Sequence, residues 1–368
     1  ATYNAWHGLK TGSFWVTLGE TPEQNQARLR LQAKQIAHEG VDLVFLQEVN
    51  PLPHRAEEYV TALRELGHDY TQVHQVDACG IRVSEERALI KGLNNGLAIL
   101  AKKELQLAKI EGLKLSGDIG NCESTSGIQL EELRYALIAE ITMPGTGIKY
   151  LVVSVHLHSG FESGTDFLRE LSDLDRQGRL KHYAYIKWEI EKPQLRRIGE
   201  LDKLVRELSK RNQNQAYAGI ATGGDFNFEG DSPEHVEAIM LGLSDTYDQA
   251  IRDQELYTAD PVKNGQILHE EDPTIPKLLE DQIKRESSDV QEEIISAYRV
   301  EMKRPRRIDH ILVDSFFADH CLRQELFGLE TNAEGLPASD HYGILNTYFR
   351  SQSPCPVGTR SVTLNSRE

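Results

Sequence analysis

The sequence has few cysteines, few methionines and no long apolar run, and these shortages exclude several classes of protein. Its 368 residues include four cysteines and three methionines. The cysteines are scattered without zinc-binding spacing, at Cys79, Cys122, Cys321 and Cys355. Their pairing, and with it the redox compartment, stays open. No apolar stretch reaches the roughly 20 residues of a membrane-spanning helix, so we expect no transmembrane segment.

Basic residues are also scarce relative to acidic ones. Lys and Arg total 41 against 57 for Asp and Glu, which gives a formal charge of −16. Bulk electrostatic wrapping of nucleic acid is therefore not expected, although a local basic cleft or a bound cation would still permit a nuclease. We expect a soluble protein of undetermined compartment and oligomeric state. The chain lacks an initiator Met and opens almost inside a functional-looking segment, so export with a trimmed leader is one interpretation.

Predicted strands and helices alternate along the chain, which indicates an α/β fold. Helices are predicted at 23–39, 55–66 and 194–210, and strands at 41–47, 96–101, 135–141, 150–155, 218–223, 308–313 and 343–348. Two charged, largely helical stretches, 160–193 and 252–303, carry no obvious core strand and are interpreted as insertions. We predict one domain over residues 1–350 and a flexible tail over 351–368.

Candidate chemical groups lie where the predicted strands end. Glu48 closes one strand, and hard oxygen ligands of this kind suit Mg²⁺ or Mn²⁺. His156 closes another and could hydrogen-bond a phosphate, with His158 as the rival position on the same strand. Taken singly, a solvated strand-end Glu and a capped core His are ordinary structural features, so neither residue identifies a site alone.

A second group of candidates follows later strands. Asp225 and Asn227 lie in a Gly-Gly-Asp-Phe-Asn segment, where the glycines would let the backbone turn tightly and approach a ligand; a plain Asx turn is the alternative. Asp309 lies within an apolar strand, where an unpaired carboxylate is costly. A contact with His341 would supply its partner and fix the imidazole tautomer. Asp340 would then face the metal.

In order along the chain, these segments are TYN-x-W, QE, NGLAIL, VHL, GDFN, R-IDHI and SDH, spanning residues 2–348. This set resembles the motifs of the DNase I-like endonuclease/exonuclease/phosphatase superfamily. The resemblance implies a four-layered α/β/β/α sandwich and a metal-dependent phosphoester hydrolase. Val155-His156-Leu157, the later Arg196 and Arg197, GDFN and Arg307-Ile308-Asp309 are closest to the neutral sphingomyelinase-like branch, although Val155 replaces the usual Thr. Trp6 stands where the apurinic endonuclease branch has an Asp.

The resemblance also implies roles for individual residues. Glu48 would be the principal ligand of Mg²⁺, with Mn²⁺ as an alternative, and Asn4 and Asp340 would shape or complete that site. The phosphoryl oxygens would be held by His156 and Asn227, with Asn95 orienting neighbours. The proton of the attacking water would go either to Asp225 or to the couple of His341 and Asp309; the sequence leaves both open.

The sequence does not select the phosphate-ester substrate. A phospholipid is one candidate, with Tyr183, Tyr185 and Trp188 at a lipid interface; simple packing of these aromatics is the alternative. Nucleic acid is a second, with a basic run as phosphate contacts or simply as a solvated surface: Lys303, Arg304, Arg306 and Arg307. A small-molecule or sugar/inositol phosphatase and a non-catalytic binding module complete the set. The two insertions are predicted to flank the site and to set its substrate.

Overall fold

A computed structural model describes most of the chain. The described residues are 1–6, 9–11, 16–18, 21–78, 81–84, 87–88, 94–117, 122, 127–128, 133–160, 165–250, 255–264, 277–318, 320, 322–332, 335 and 337–348. The predicted flexible tail, 351–368, lies outside these ranges. Within them, no helix is both long enough and apolar enough to cross a membrane.

The first of two large sheets carries the N-terminal strand near its centre. Its six described strands are, in spatial order, Leu322–Phe327, Gly343–Tyr348, Thr2–Asn4, Leu43–Val49, Asn95–Lys102 and Tyr70–Ala78. The N-terminal strand runs parallel to Leu43–Val49, with Asn4 opposite Gln47. This register brings Glu48 to the same edge of the sheet as Asn4.

The second sheet carries most of the remaining candidates. Its six described strands are, in spatial order, Ser244–Asp245, Asp309–Val313, Ile220–Asp225, Lys149–His156, Arg134–Thr142 and Ala108–Ser116. His156 is in register with Asp225, and Asp225 is in register with Asp309. These three side chains therefore belong to neighbouring positions across the sheet. Shorter strands in the described part are Leu9–Thr11, Val16–Leu18, Ile81–Ser84, Arg87–Ala88 and Gly127–Ile128.

The two sheets pack face to face, and helices cover their outer faces. Phe45, Leu97, Leu137 and Val152 belong to the apolar cluster between the sheets. The first sheet is covered by Pro22–His38 and His54–Glu65, and the second by Tyr183–Arg211 and Pro233–Met240. The arrangement is the predicted four-layered α/β/β/α sandwich. Shorter described helices are Thr246–Gln249, Ser315–Ala318 and the 3₁₀ turn Lys103–Leu105.

The first helix shows how local sequence specifies one of these layers. Thr21 and Gln24 form a reciprocal capping box, and Pro22 occupies the first turn, where its missing N–H has no cost. Leu29, Ala33 and Ile36 are buried at helical spacing. The helix therefore begins where the sequence signals its start and buries one stripe against the sheet.

The two predicted insertions pack against each other. Helices Thr165–Arg176, Lys277–Ile283 and Ser288–Met302 join the first half of Tyr183–Arg211 around an apolar cluster of their own. We call residues 165–190 and 277–302 the helical unit. Glu286 connects the two halves of the helical unit, and we call this contact the Glu286 clamp. Its carboxylate accepts hydrogen bonds from the backbone N–H groups of Lys181 and His182, and its Oε1 lies 2.6 Å from Nδ1 of the His182 ring.

The structure moves the insertion boundaries. Tyr183–Arg211 is one continuous helix with Pro193 inside it, so the predicted boundary at 193 and the predicted helix start at 194 are wrong. The Pro193 ring lies against Gly160, where an added Cβ would come within 2.7 Å. Residues 255–264 of the second insertion are not helical either; they form turns, and Ala259 pairs with Arg306.

Candidate active site

Side chains from both sheets meet at one edge of the sandwich. Most neighbouring strands in the two large sheets are antiparallel, so the C-terminal ends of some strands lie beside the N-terminal ends of others. The predicted site residues that reach this edge are Asn4, Glu48, Asn95, His156, Asp225, Asn227, Asp309, Asp340 and His341. Most of them are buried, so their hydrogen bonds determine what the site can do.

A hydrogen-bonded chain links the two sheets through Asn4. The Asn4 side-chain amide donates to Glu48 Oε1 and to Asp225 Oδ2, both at 3.1 Å. Its oxygen accepts the backbone N–H of Trp6 at 3.0 Å. The Asn4 nitrogen therefore faces both carboxylates, and its hydrogen bond orients the Glu48 side chain. The candidate metal ligands at this point are the carboxylate oxygens.

His341 and Asp309 form the contact that the sequence predicts. The distance from His341 Nδ1 to Asp309 Oδ2 is 2.8 Å, and Asp225 Oδ2 lies 3.9 Å from the same nitrogen. Asp309 is fully buried, and His341 supplies a charge partner for that carboxylate. The ring is thereby held with one nitrogen toward the carboxylates.

The electrostatics of this cluster are unusual for carboxylates. Burial, together with the nearby Asp309 and Glu48, raises the pKa of Asp225 to about 8, although His341 and the Asn4 hydrogen bond act in the opposite direction. Burial alone would lower the pKa of His341. The carboxylates around it, Asp309 foremost, outweigh burial and raise that pKa well above the ordinary value for histidine. A displaced pKa in a polar cleft marks a candidate active site.

The structure separates the two candidate histidines. The strand ends at His156, which is buried, with Nε2 at 3.6 Å from Asp225 Oδ2. His158 lies beyond the strand, so the expectation that both share one strand face is wrong. The backbone of His158 is held by Glu200, which accepts its N–H at 2.9 Å, and by Arg197, which donates to its carbonyl at 3.3 Å.

Asn227 combines the two interpretations of its segment. Its backbone N–H donates to Asp225 Oδ1 at 3.0 Å, which is an Asx turn. Its side chain also lies at the site edge and donates to the Leu157 carbonyl at 3.1 Å. One amide hydrogen remains for a ligand.

The glycines before Asp225 have a different role from the predicted one. They lie within the strand rather than in a turn. A Cβ on Gly223 would meet the Phe45 ring at 2.2 Å, and one on Gly224 would meet the Val155 carbonyl at 2.1 Å. They are required by close packing between sheets and between strands, not by approach to a ligand.

Three non-glycine residues at this edge have left-handed backbone conformations. The φ angles are 56° at Trp6, 56° at Glu48 and 53° at Asn227. At Glu48 the strand pairing also shifts register between Leu46 and Val49. Such conformations cost on the order of 1 kcal/mol or more each and gather at functional sites. Their grouping here is a second, independent mark of the site.

The donor set fits a divalent cation. Carboxylate and amide oxygens are the ligands that Mg²⁺ and Mn²⁺ prefer. Two buried oxygens of the site, Asn95 Oδ1 and Asp309 Oδ1, have no hydrogen-bond partner among the residues that the structure describes, as expected where a cation or its bound water supplies the missing contact. Asp225, Asp309 and His341 also offer ligand atoms within 4.8 Å of one another. In that group the hydrogen bond to Asp309 already occupies the imidazole Nδ1.

Sequence reasoning missed two residues that support the site. Thr258 Oγ1 accepts the backbone N–H groups of Ile308 and Asp309 at 3.1 and 3.2 Å. The Asn264 side chain donates to the carbonyls of Ser339 and Asp340 at 3.0 and 2.9 Å. Both belong to the predicted insertion 252–303, so part of that stretch positions the site itself. The turn-forming Thr-Ala-Asp-Pro segment at 258–261 was the only local signal.

Fold and site together define the class: a phosphoester hydrolase built on a DNase I-like sandwich. The chain belongs to the Endonuclease/Exonuclease/phosphatase family, whose model matches residues 1–341. A comparison with curated protein sequences finds no significant match.

Solved structures share the fold at low sequence identity. Truncated Caenorhabditis elegans TDP2 is 15% identical, with a TM-score of 0.51 over 90% of this chain and 93% of that one. D. rerio TDP2 complexed with a single-strand DNA product is 18% identical, with a TM-score of 0.50 over 95% and 97%. A Bacteroides thetaiotaomicron mannosyl-6-phosphatase is 13% identical, with a TM-score of 0.53 over 95% and 98%.

Proposed function

We propose that the protein is a divalent-metal-dependent phosphoester hydrolase that favours phosphodiesters. The observation that carries the proposal is the hydrogen-bonded chain from Glu48 through Asn4 to Asp225, with His156 and the His341–Asp309 pair beside it. It supports the proposal because these carboxylates and two imidazoles lie around one point, where we expect the phosphoryl group to bind.

Glu48 would be the main protein ligand of Mg²⁺ or Mn²⁺, with Asn4 orienting it and Asp340 completing the site. The bound ion would supply Lewis-acid stabilisation of a non-bridging phosphoryl oxygen. Asn227 and His156 would donate hydrogen bonds to the other phosphoryl oxygens. These roles place the protein's donors around the charge that develops during in-line attack by water.

Asp225 is the favoured proton acceptor. A pKa near 8 lies close to the working pH, where a general base is most effective. The carboxylates around His341, Asp309 foremost, raise its pKa and so favour the positively charged ring, and a charged imidazole has no free lone pair with which to accept a proton. His341 is better suited to neutralising phosphoryl charge.

The basic run at 303–307 gives little support to nucleic acid as substrate. Arg307 is buried and pairs with Asp245 at 2.8 Å. Arg304 is bound by Glu229 and Glu301, and Arg306 is also buried. Lys303 is exposed, and the 37% exposed Arg304 side chain is already paired, so the run is neither a fully solvated surface nor a set of available phosphate contacts.

A stripe on the helix Tyr183–Arg211 supports a phospholipid substrate. Tyr185 is 65% exposed, Trp188 is 50% exposed and Leu195 is 54% exposed, with the exposed Lys192 between them at helical spacing. Aromatic, apolar and lysine side chains on one helix face are typical of contact with a membrane interface. Tyr183 instead packs into the helical unit.

The helical unit would then determine the substrate by bordering the site. Its first half follows the His156 strand, and its second half leads into Asp309. Arg304, just beyond its last helix, pairs with Glu229, two residues after Asn227. Replacing residues 165–190 should change substrate preference while a minimal diester is still cleaved.

A substrate panel tests the proposal. Purified protein with Mg²⁺ or Mn²⁺ is offered sphingomyelin vesicles, plasmid DNA, RNA, bis-p-nitrophenyl phosphate, inositol phosphates and mannose 6-phosphate. We expect metal-dependent cleavage of the minimal diester and of the vesicles. Trp188→Ala should slow vesicle hydrolysis without affecting the minimal diester, and Met240→Ala, at a similarly exposed apolar position on another helix, should leave both unchanged. Cleavage of phosphomonoesters alone would overturn the diester assignment.

A further inference from the structure

We propose that Gln32 is a positioning residue that holds two loops of the metal site in register. Gln32 lies on the first helix and is fully buried. Its hydrogen bonds within the described residues reach none of the candidate catalytic side chains, so we expect its effect on the site to pass through the backbone that it binds. The inference rests on the proposed metal site at Glu48.

The Gln32 side-chain amide bridges the segments on either side of the site. Its nitrogen donates to the Ala5 carbonyl at 3.0 Å and to the Ala338 carbonyl at 2.8 Å. Ala5 follows Asn4, and Ala338 precedes the Ser-Asp-His segment that carries Asp340 and His341. One buried amide therefore sets the distance between two segments that are more than 300 residues apart in the chain.

The hydrogen bonds on each side show what this distance controls. The Ala5 N–H donates to the Gln47 carbonyl at 2.9 Å, one residue before Glu48. The Ser339 hydroxyl donates to the Asn4 carbonyl at 2.6 Å and accepts the His341 N–H at 3.1 Å. Ala5 and Ser339 are thus the points through which Gln32 would fix Glu48, Asn4 and His341 relative to one another.

The orientation of the Gln32 amide is fixed. Its oxygen accepts the Tyr59 hydroxyl, and both of its N–H groups point to carbonyls. In a flipped amide, the Gln32 oxygen would face the Ala5 and Ala338 carbonyl oxygens. The Gln32 nitrogen would face the Tyr59 hydroxyl, which would lose its acceptor. Replacement by an apolar side chain of similar size would remove this donor from the Ala338 carbonyl and leave the Ala5 carbonyl to its second donor, the Arg28 guanidinium.

Gln35 provides a matched control. It lies three residues further along the same helix, is also buried, and donates to the Glu330 carbonyl at 3.1 Å. Within the described part of the chain, its side chain makes no hydrogen bond to Ala5 or Ala338. Gln32→Met and Gln35→Met therefore both remove buried hydrogen bonds, but only the first should disturb metal binding.

The test measures Mn²⁺ binding to metal-free protein by the electron paramagnetic resonance signal of the free ion, without substrate. We expect Gln32→Met to weaken Mn²⁺ affinity about tenfold or more, as loss of residues that support metal ligands generally does, and Gln35→Met to change it less than about twofold. Tyr59→Phe, which removes only the hydroxyl that orients Gln32, should weaken affinity by a smaller factor and covers the case in which Gln32→Met does not fold.

The results distinguish failure of the positioning role of Gln32 from failure of the proposed metal site at Glu48. Equal Mn²⁺ affinity in wild type, Gln32→Met and Tyr59→Phe would overturn the positioning role while leaving the metal site intact. Equal loss in Gln32→Met and Gln35→Met would assign the effect to general destabilisation and overturn it as well. Absence of Mn²⁺ binding by the wild type would overturn the metal site itself, and this inference with it.

Discussion

Replacing Asp225 by Asn should make the metal-free protein less sensitive to alkaline pH while removing catalysis. The pKa of Asp225 is raised from 3.8 to about 8, so the folded state keeps a proton that the unfolded state releases. For a carboxyl with a raised pKa, the stabilising contribution is present below about pH 4 and is lost as pH rises through about 8. Asn cannot ionise and removes this dependence.

The magnitude follows from linkage. Each tenfold difference in proton affinity corresponds to roughly 1.4 kcal/mol, so ionisation of Asp225 alone should remove about 3 kcal/mol of stability between about pH 5.5 and 8. The substitution also has a cost. Asp225 accepts hydrogen bonds from Asn4 and from the Asn227 N–H, and Asn can accept only one of them, a loss of about 1–3 kcal/mol.

The assay is urea unfolding in EDTA at about pH 5.5 and pH 9, on either side of the raised pKa. We expect the free energy of unfolding of the wild type to fall by about 3 kcal/mol more than that of Asp225→Asn between the two pH values. The exposed Asp231→Asn should behave as the wild type does. Equal pH dependence in wild type and Asp225→Asn would refute the conclusion that burial and neighbouring carboxylates raise the pKa of Asp225.

Three further predictions concern the supporting structure. Cys122 is buried and disulfide-bonded, so reduction should lower the free energy of unfolding by about 2–5 kcal/mol. Denaturation curves with and without dithiothreitol measure this effect, and identical curves would contradict the prediction. Arg197 and Glu234 form a fully buried ion pair at 2.8 Å. Arg197→Met should lower the free energy of unfolding, measured in urea, by about 3–5 kcal/mol. A change near zero would contradict this prediction. Glu286→Ala should increase hydrogen exchange within the helical unit around His182 but not in the sheets, and unchanged exchange would show that the clamp is dispensable.

The parts of the fold that the sequence predicts best depend on local signals. The helix Pro22–His38 has its capping box and apolar spacing within a few residues, and the final strand, Gly343–Tyr348, matches its predicted bounds. The strands Tyr70–Ala78, Ala108–Ser116 and Leu322–Phe327 were not predicted. All three lie at sheet edges, where polar side chains are tolerated and the alternating pattern is weak.

The candidate site was likewise predictable from local sequence signals only in part. Its central residues could be proposed from sequence because each lies within or beside a recognisable strand and motif. The helical unit could not be assembled from sequence, since its halves meet through contacts between residues distant in the chain, namely an apolar cluster and the hydrogen bonds of Glu286. Gln32 carried a signal in retrospect, because it is a polar residue on the same buried stripe as Leu29 and Ile36. Nothing in the sequence indicated which backbone groups it binds.

The most direct test of the central claim is the metal dependence of diester hydrolysis and its loss in Glu48→Gln. Wild-type protein treated with EDTA should hydrolyse bis-p-nitrophenyl phosphate only after Mg²⁺ or Mn²⁺ is restored. Glu48→Gln should bind Mn²⁺ about 10–100-fold more weakly and lose turnover by orders of magnitude, while the exposed Glu104→Gln retains both. Full activity of the EDTA-treated wild type, or unchanged Mn²⁺ affinity in Glu48→Gln, would contradict the account.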